Sequence, residues 1–386
     1  MRTMQPCVTI GSYTWAQDRL PNDEFGLRLD ELRRAMAKHG WRAVLAYGDV
    51  REHAALAYLS NFIPRVRWGM ALLPRDGDAR LLCAMSTRDL PAMRTLTWIA
   101  DVRSGMGPEW DKAFDPRFER FADEPAAQFG TLGFDLMAPV LHDAVRRSLG
   151  QRFVLQRADD VVAVPPQRKR PRELTLLRAS CKLVQDAAQV FAESWRQKSG
   201  KPETAALDAE RFARSRAAQD VRTLVSLDGG RTLVPYQGRF DKIAGPLVGY
   251  VAVKLMGYWA DLFVTVDQGE PSPARRRVEA VLDTLIAAMR PGLRAGELHA
   301  KAIAALAPWP LHPALSQSVG HGIGLSLHEA PELCAGSDAT LVEDGVYTVQ
   351  LGVADGAAGH VLLSAIVRIR ANGAELLARS RGITAP

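Results

Sequence analysis

The 386-residue chain is predicted to fold as an α+β protein in two domains, on three observations. The chain is longer than one ordinary hydrophobic core encloses, so a division is expected. Prolines and charges replace the apolar pattern over residues 161–172, which marks the boundary. Beyond it, two long helical patterns give way to strands, then two more helices, then strands again, the order of an α+β domain. The domains are set at residues 1–165 and 166–386.

In the first domain, Phe25, Leu29, Leu32 and Met36 recur at helical spacing over residues 24–39, and Gly40 stands where a helix would end. Residues 41–47 are apolar and strand-like, and residues 51–59 suggest a second helix. Residues 69–73 and 79–84 pair as a hairpin across Pro74-Arg75-Asp76-Gly77-Asp78, a turn by composition. Helix, strand, helix and hairpin predict an α/β N-terminal domain. In the second domain, helices are expected over residues 172–195 and 203–219, with Leu174, Leu177, Cys181, Val184, Ala187 and Phe191 on one side of the first. Strands are expected over 221–227, 247–255 and 260–266, helices over 275–289 and 297–306, and closing strands over 345–353 and 360–370.

Composition narrows the function classes. Hydrophobic residues at 47% and charged residues at 24% describe a globular chain, not a disordered or fibrous one. No apolar stretch approaches the ~18 residues of a bilayer span, and the N-terminus lacks the apolar core of a signal peptide, so a cytoplasmic protein is expected. Cys7, Cys83, Cys181 and Cys334 lie far apart, which speaks against zinc ribbons and dithiol redox motifs and for reduced thiols. The net charge of +6 is mild. Its densest run, Arg168-Lys169-Arg170 with Arg172, has no interleaved aromatics and is flanked by Pro165, Pro166 and Pro171, so it reads as a solvated linker and not a nucleic-acid patch.

The most informative segment is SVGHGIGLSLHEAP at residues 318–331. Two histidines, His321 and His328, sit among Gly320, Gly322 and Gly324, and glycine lets a backbone approach a ligand closely. This segment resembles the histidine motif of the M24 family, which includes aminopeptidase P, prolidase, methionine aminopeptidase and creatinase. Further segments carry the same resemblance: RKRPRELTLLRAS at 168–180, GYWAD at 257–261, LVEDGVYTVQ at 341–350 and GAELL at 373–377. The resemblance implies a creatinase-like α/β N-terminal domain followed by a pita-bread C-terminal domain.

It also implies a site for two divalent metals, held by two aspartates, one histidine and two glutamates. Aligned residue by residue, Asp261 and His321 match. Tyr250 stands at the first aspartate position, Gln350 at the first glutamate and Ser364 at the second. Neutral oxygens replace carboxylates poorly at a hard-cation site, so no metal ligands and no cofactor are assigned. Creatinase works without metal through a histidine, but the matching dipeptide here is Pro235-Tyr236.

His321, His328, Asp261 and Tyr250 are therefore the candidate catalytic residues: imidazole exchanges protons near neutral pH, Asp261 orients a histidine, and Tyr250 donates a hydrogen bond. Gln350, Ser364, Tyr236 and Glu329 are candidates for substrate binding. The resemblance adds Phe62, Arg65 and Arg67, since in creatinase-type proteins the N-terminal domain reaches the partner's site and helps bind a carboxylate. The reading is a metal-independent enzyme acting on a small amidic or amino-acid-like substrate, by C–N hydrolysis, elimination or cyclisation. The alternatives are a non-catalytic pseudo-peptidase that binds a small molecule or protein, and an Xaa-Pro-type metallopeptidase with unusual ligands. The expected partners are a small molecule, carboxylate-bearing in one version, and a second copy of the chain; nucleic acid and membrane are not expected.

Overall fold

The computed structural model describes residues 13–105, 127–149, 152–159, 161–197, 201–235, 238, 243, 246–267, 269–307, 309–356 and 359–380. Cys7 and Tyr236 lie outside these residues. The chain divides into two compact units, Met1–Pro166 and Gln167–Pro386.

In the first unit, helix Asn22–His39 buries Phe25, Leu29, Leu32 and Met36, as its spacing predicts. It ends at Gly40, whose φ of +73° suits glycine. Six strands follow: β1 Trp41–Asp49, β2 Trp68–Pro74, β3 Arg80–Cys83, β4 Asp101–Ser104, β5 Gln128–Leu132 and β6 Val154–Arg157. They form one sheet in the order β4-β3-β2-β1-β5-β6. The predicted hairpin is β2–β3, paired antiparallel. Strands β4 to β6 and helix Pro139–Leu149 were not legible in the sequence. Phe129 and Phe153 stack beside Leu45 and Leu72 in this unit's core.

In the second unit, helices Pro171–Gln197 and Pro202–Ser215 precede β7 Asp220–Val225, β8 Val234–Pro235, β9 Leu247–Leu255 and β10 Tyr258–Val266. These strands make a sheet in the order β10-β9-β7-β8. Helices Pro273–Ala288 and Ala295–Leu306 lead to β11 Ser318–Gly322, β12 Glu329–Cys334, β13 Val346–Ala354, β14 His360–Arg370 and β15 Gly373–Arg379. That second sheet runs β12-β11-β13-β14-β15.

Strand alternation sorts the two faces of the second sheet. Val349, Leu351 and Val353 of β13, with Leu363, Ala365 and Val367 of β14, share a core with Val278, Leu282 and Leu298 of the helices. Thr348, Gln350 and Ser364 therefore point the other way, towards β10. There the sheets are joined: Phe263 N–H donates to Ser364 Oγ at 2.8 Å, and Thr265 Oγ1 donates to the Leu362 carbonyl at 2.9 Å. Helix Pro171–Gln197 covers the opposite face of β9 and β10. A Cβ on Gly249 would lie 2.3 Å from Phe191 of that helix, so the helix packs directly on the strand backbone. Tyr250, the next residue, faces the other sheet. The unit is thus helices, sheet, sheet, helices, with a polar strip between the sheets.

The basic run differs from its prediction. Arg168 is exposed and pairs with Glu343 at 3.3 Å. Lys169 is buried at 3% exposure and forms an ion pair with Glu329, whose side chain is 8% exposed. Its backbone N–H donates to the Asp344 carbonyl at 3.0 Å, which pulls the side chain inward. Among the described residues, Cys83, Cys181 and Cys334 are free, and no helix is long and apolar enough to cross a membrane.

Candidate functional site

The site is assembled by strand register. β9 and β10 are joined by Met256 and Gly257, both at positive φ, a two-residue turn that matches the twist of a hairpin. This turn sets Asp261 opposite Ala252 and Phe263 opposite Tyr250. In the facing sheet, His321 lies opposite Thr348 and Gln350 opposite Ser364. The Gln350 amide Nε2 donates to Asp261 Oδ2 at 2.9 Å and closes the gap between the sheets.

Asp261 is fully buried. Burial drives its carboxyl from 3.8 up to about 7, against the opposing pull of Tyr250, Thr348 and Gln350, which favour the ionised form. Its second oxygen, Oδ1, has no partner of good hydrogen-bond geometry, and neither does the buried Thr348 hydroxyl beside it. Burial, then the charge of Asp261, raises the Tyr250 phenol well above its usual range, so Tyr250 is a neutral donor.

His321 Nδ1 lies 2.9 Å from the Gly322 carbonyl. A carbonyl oxygen only accepts, so Nδ1 carries the proton and Nε2 keeps a bare lone pair. That Nε2 is buried and unpartnered. Burial, then the neighbouring His328, lowers the His321 pKa to about 3. The two imidazoles stack with centroids 3.5 Å apart. Burial also lowers His328, partly offset by Glu332. The sequence places neutral-pH proton exchange on the histidines. The structure moves it to Asp261, because a dry environment penalises the charged form of both groups and so shifts them in opposite directions.

The glycines answer to packing. A Cβ on Gly320, at φ +142°, would sit 2.0 Å from the Thr348 carbonyl oxygen, and one on Gly322 would sit 2.6 Å from that of Ala330. A Cβ on Gly324 would meet Glu329 Oε1 at 2.6 Å. Close neighbouring backbone and the Glu329 carboxylate occupy the space that the sequence reading left for substrate. Glu329 itself is engaged by Lys169 and by the Ser326 N–H at 3.2 Å, so it anchors the histidine segment and does not stand at a rim. Ser364 is likewise structural: fully buried, it accepts from Phe263, and its own N–H donates to Ser380 Oγ at 2.9 Å.

The structure thus brings together Tyr250, Asp261, His321, His328, Gln350 and Ser364. Phe62, Arg65 and Arg67 belong to the first unit, where buried Phe62 lines a small apolar cleft with Arg65, Val66 and Met85. Three contributors escaped the sequence reading. Thr348 was accessible through alternation, two residues before Gln350. Lys169 and Glu332 carried no local signal.

The resemblance implies two metal ions, and the residues present do not fit them. One carboxylate and one imidazole remain at the five ligand positions, and Asp261 Oδ2 already accepts a hydrogen bond from Gln350. Among the described residues no three His, Cys, Asp or Glu side chains are grouped to hold an ion.

Comparison with known proteins agrees with this architecture. Residues 175–371 match metallopeptidase family M24. An Xaa-Pro dipeptidase of Pyrococcus furiosus is 24% identical over 294 residues, 73% of this chain and 84% of that protein. The prolidase of Pyrococcus horikoshii superposes with a TM-score of 0.75 at 18% identity, covering 92% of this chain and 99% of that one. The X-Pro aminopeptidase of Thermotoga maritima gives 0.75 at 19% identity, with 93% and 98% covered. At such identities the likeness establishes the fold, an N-terminal domain followed by a pita-bread domain.

Proposed function

This chain belongs to metallopeptidase family M24, and from that membership and its altered donor set we propose that it is a metal-independent hydrolase. It cleaves a C–N bond in a small amidic or amino-acid-like substrate. The observation that carries the reading is a buried polar group, Asp261 Oδ1, Thr348 Oγ1 and His321 Nε2, whose hydrogen bonding is not completed with good geometry. Buried polar groups are almost always satisfied, so such a group marks a place where a ligand or water completes the bonding. Thr348 links the other two, since it lies opposite His321 in register and acts on Asp261.

The chemistry follows from the protonation states. A carboxyl near pH 7 is matched to acid–base work at neutral pH. As a carboxylate, Asp261 takes a proton from water as the water oxygen bonds to the substrate carbonyl carbon. As a carboxylic acid, it returns that proton to the leaving nitrogen when the C–N bond breaks. Neutral His321 accepts a hydrogen bond at Nε2 and orients the water or a substrate N–H. The neutral Tyr250 phenol donates to the developing oxyanion.

A binding protein without turnover is the competing reading, favoured by the structural employment of Ser364 and Glu329. The test uses chelator-treated protein with a panel of small amides, ureas and dipeptides. Xaa-Pro dipeptides head the panel because the relatives carry those names. Turnover that Asp261→Asn and His321→Ala both abolish supports the proposal. Turnover that needs added divalent metal overturns its metal independence, and binding without turnover selects the competing reading.

A further inference from the structure

We infer that Lys169 is a positioning residue for the imidazole pair: through Glu329 it holds the loop that lays His328 on His321. This rests on the hydrolase reading for the use made of His321, and adds a residue outside the site that controls the site's geometry.

His328 needs such a brace. It keeps much of its surface in solvent, so burial alone does not hold it, yet its ring stacks on the buried His321 with centroids 3.5 Å apart. Residues 323–328, which deliver it, form neither helix nor strand. Backbone bonds hold the start of this loop: Ile323 N–H donates to the Val346 carbonyl at 3.1 Å, and Trp259 N–H donates to the Gly324 carbonyl at 2.7 Å. Beyond Gly324 a side chain takes over. Ser326 N–H donates to Glu329 Oε1 at 3.2 Å, and the same oxygen fills the bend, 2.6 Å from where a Gly324 Cβ would stand. Glu329 follows His328 directly in the chain, so displacing its carboxylate displaces the imidazole.

Lys169 fixes that carboxylate. At the end of β11, Gly322 lies between Glu329 of β12 and Tyr347 of β13. Lys169 starts on the β13 side: its N–H donates to the Asp344 carbonyl at 3.0 Å, and its neighbour Arg168 bridges to Gly345. Its ammonium ends on Glu329 Oε2, on the β12 side. The side chain therefore ties together the two strands that flank β11, at the level of Gly322. The Gly322 carbonyl receives the His321 Nδ1 proton. Both groups that orient His321 thus adjoin Glu329, one across the ladder and one along the chain. Two apolar side chains would hold the strands as well as a dehydrated ion pair does. What they would lack is the acceptor for Ser326, so the pair contributes position more than stability.

The test is NOE spectroscopy of the full chain, perdeuterated except at its eight histidines, with far-UV circular dichroism on the same samples. Wild type should show a cross-peak between the His321 and His328 rings, assigned with His321→Gln and His328→Gln. Lys169→Met with Glu329→Met should keep the wild-type dichroism and lose the cross-peak. Lys169→Arg, which keeps the charge and a donor for the carboxylate, should retain it. A cross-peak that survives in the double variant, or is missing from wild type or from Lys169→Arg, overturns the inference. So does a double variant that fails to fold, since position and stability would then be inseparable. The hydrolase reading is judged separately by turnover: a ring contact that obeys Lys169 in a protein without turnover upholds this inference and sinks that reading.

Discussion

Replacing Asp261 by Asn tests the assignment of the proton to this residue. The carboxyl rises from 3.8 to about 7 through burial. A raised pKa of this kind gives stability that is complete below the unfolded value and is lost as pH climbs through the folded one. Below pH ~4 both states are protonated and nothing is lost. Between ~4 and ~7 the unfolded chain ionises while the folded chain stays neutral, so stability falls by ~1.4 kcal/mol per pH unit. Above ~7 the loss levels off at ~4 kcal/mol, because the folded protein now holds a buried charge. Asparagine cannot ionise, and its carbonyl can still accept from Gln350, so the variant escapes this loss. His321 titrates in the opposite sense, losing stability as pH falls from 6.5 towards about 3, but both proteins share that change and it cancels in the comparison. Hydrogen exchange of peptides spanning β9 and β10 is the assay, since it reads local opening without assuming that both units unfold together. Protection in Asp261→Asn relative to wild type should grow by roughly 200-fold from pH 4.5 to pH 8. A ratio independent of pH would refute the argument.

Gly320→Ala should destabilise the second unit by ~3 kcal/mol or more, because the new Cβ meets a carbonyl oxygen that cannot move; a Tm within about 1 °C of wild type would refute this. Lys169→Met strands the Glu329 carboxylate and should cost ~3–5 kcal/mol, while Lys169→Met with Glu329→Met should recover most of the loss; urea unfolding that finds the double variant as weak as the single one sinks the assignment. Once a substrate is in hand, His321→Ala should lower turnover by ~10²-fold with circular dichroism unchanged. The homodimer implied by the family resemblance predicts twice the chain mass in sedimentation equilibrium, and a monomer at micromolar concentration would overturn it.

Legibility in the sequence followed the source of each element's order. β9 and β14 were read at the bounds they adopt, Leu247–Leu255 and His360–Arg370, because long apolar runs state their own conformation. β11 and β12 were read as a glycine-rich segment. Gly320, Gly322 and Pro331 are poor strand formers, and pairing with β13 makes the strand. The site residues carried over from the family converge because side-chain alternation is fixed once the strands pair. Their roles were less legible. Burial set the protonation of Asp261 and His321, and burial depends on the facing sheet. Lys169 looked like one charge in an exposed run, and only the partner 160 residues away explains its burial.

The contact at Gly320 bears on how β11 finds its place. A Cβ there would stand 2.0 Å from the Thr348 oxygen, so the strand closes against β13 only when a residue without a side chain reaches that carbonyl. Sliding β11 by one position would bring Val319 or His321 to the same oxygen, and either would be expelled. The slip would also turn His321 away from Asp261, since each step along a strand reverses its faces. The missing methyl group at residue 320 therefore works as an alignment mark. It rejects the misaligned pairings during folding, and the one arrangement it admits is the one that sets His321 opposite Thr348.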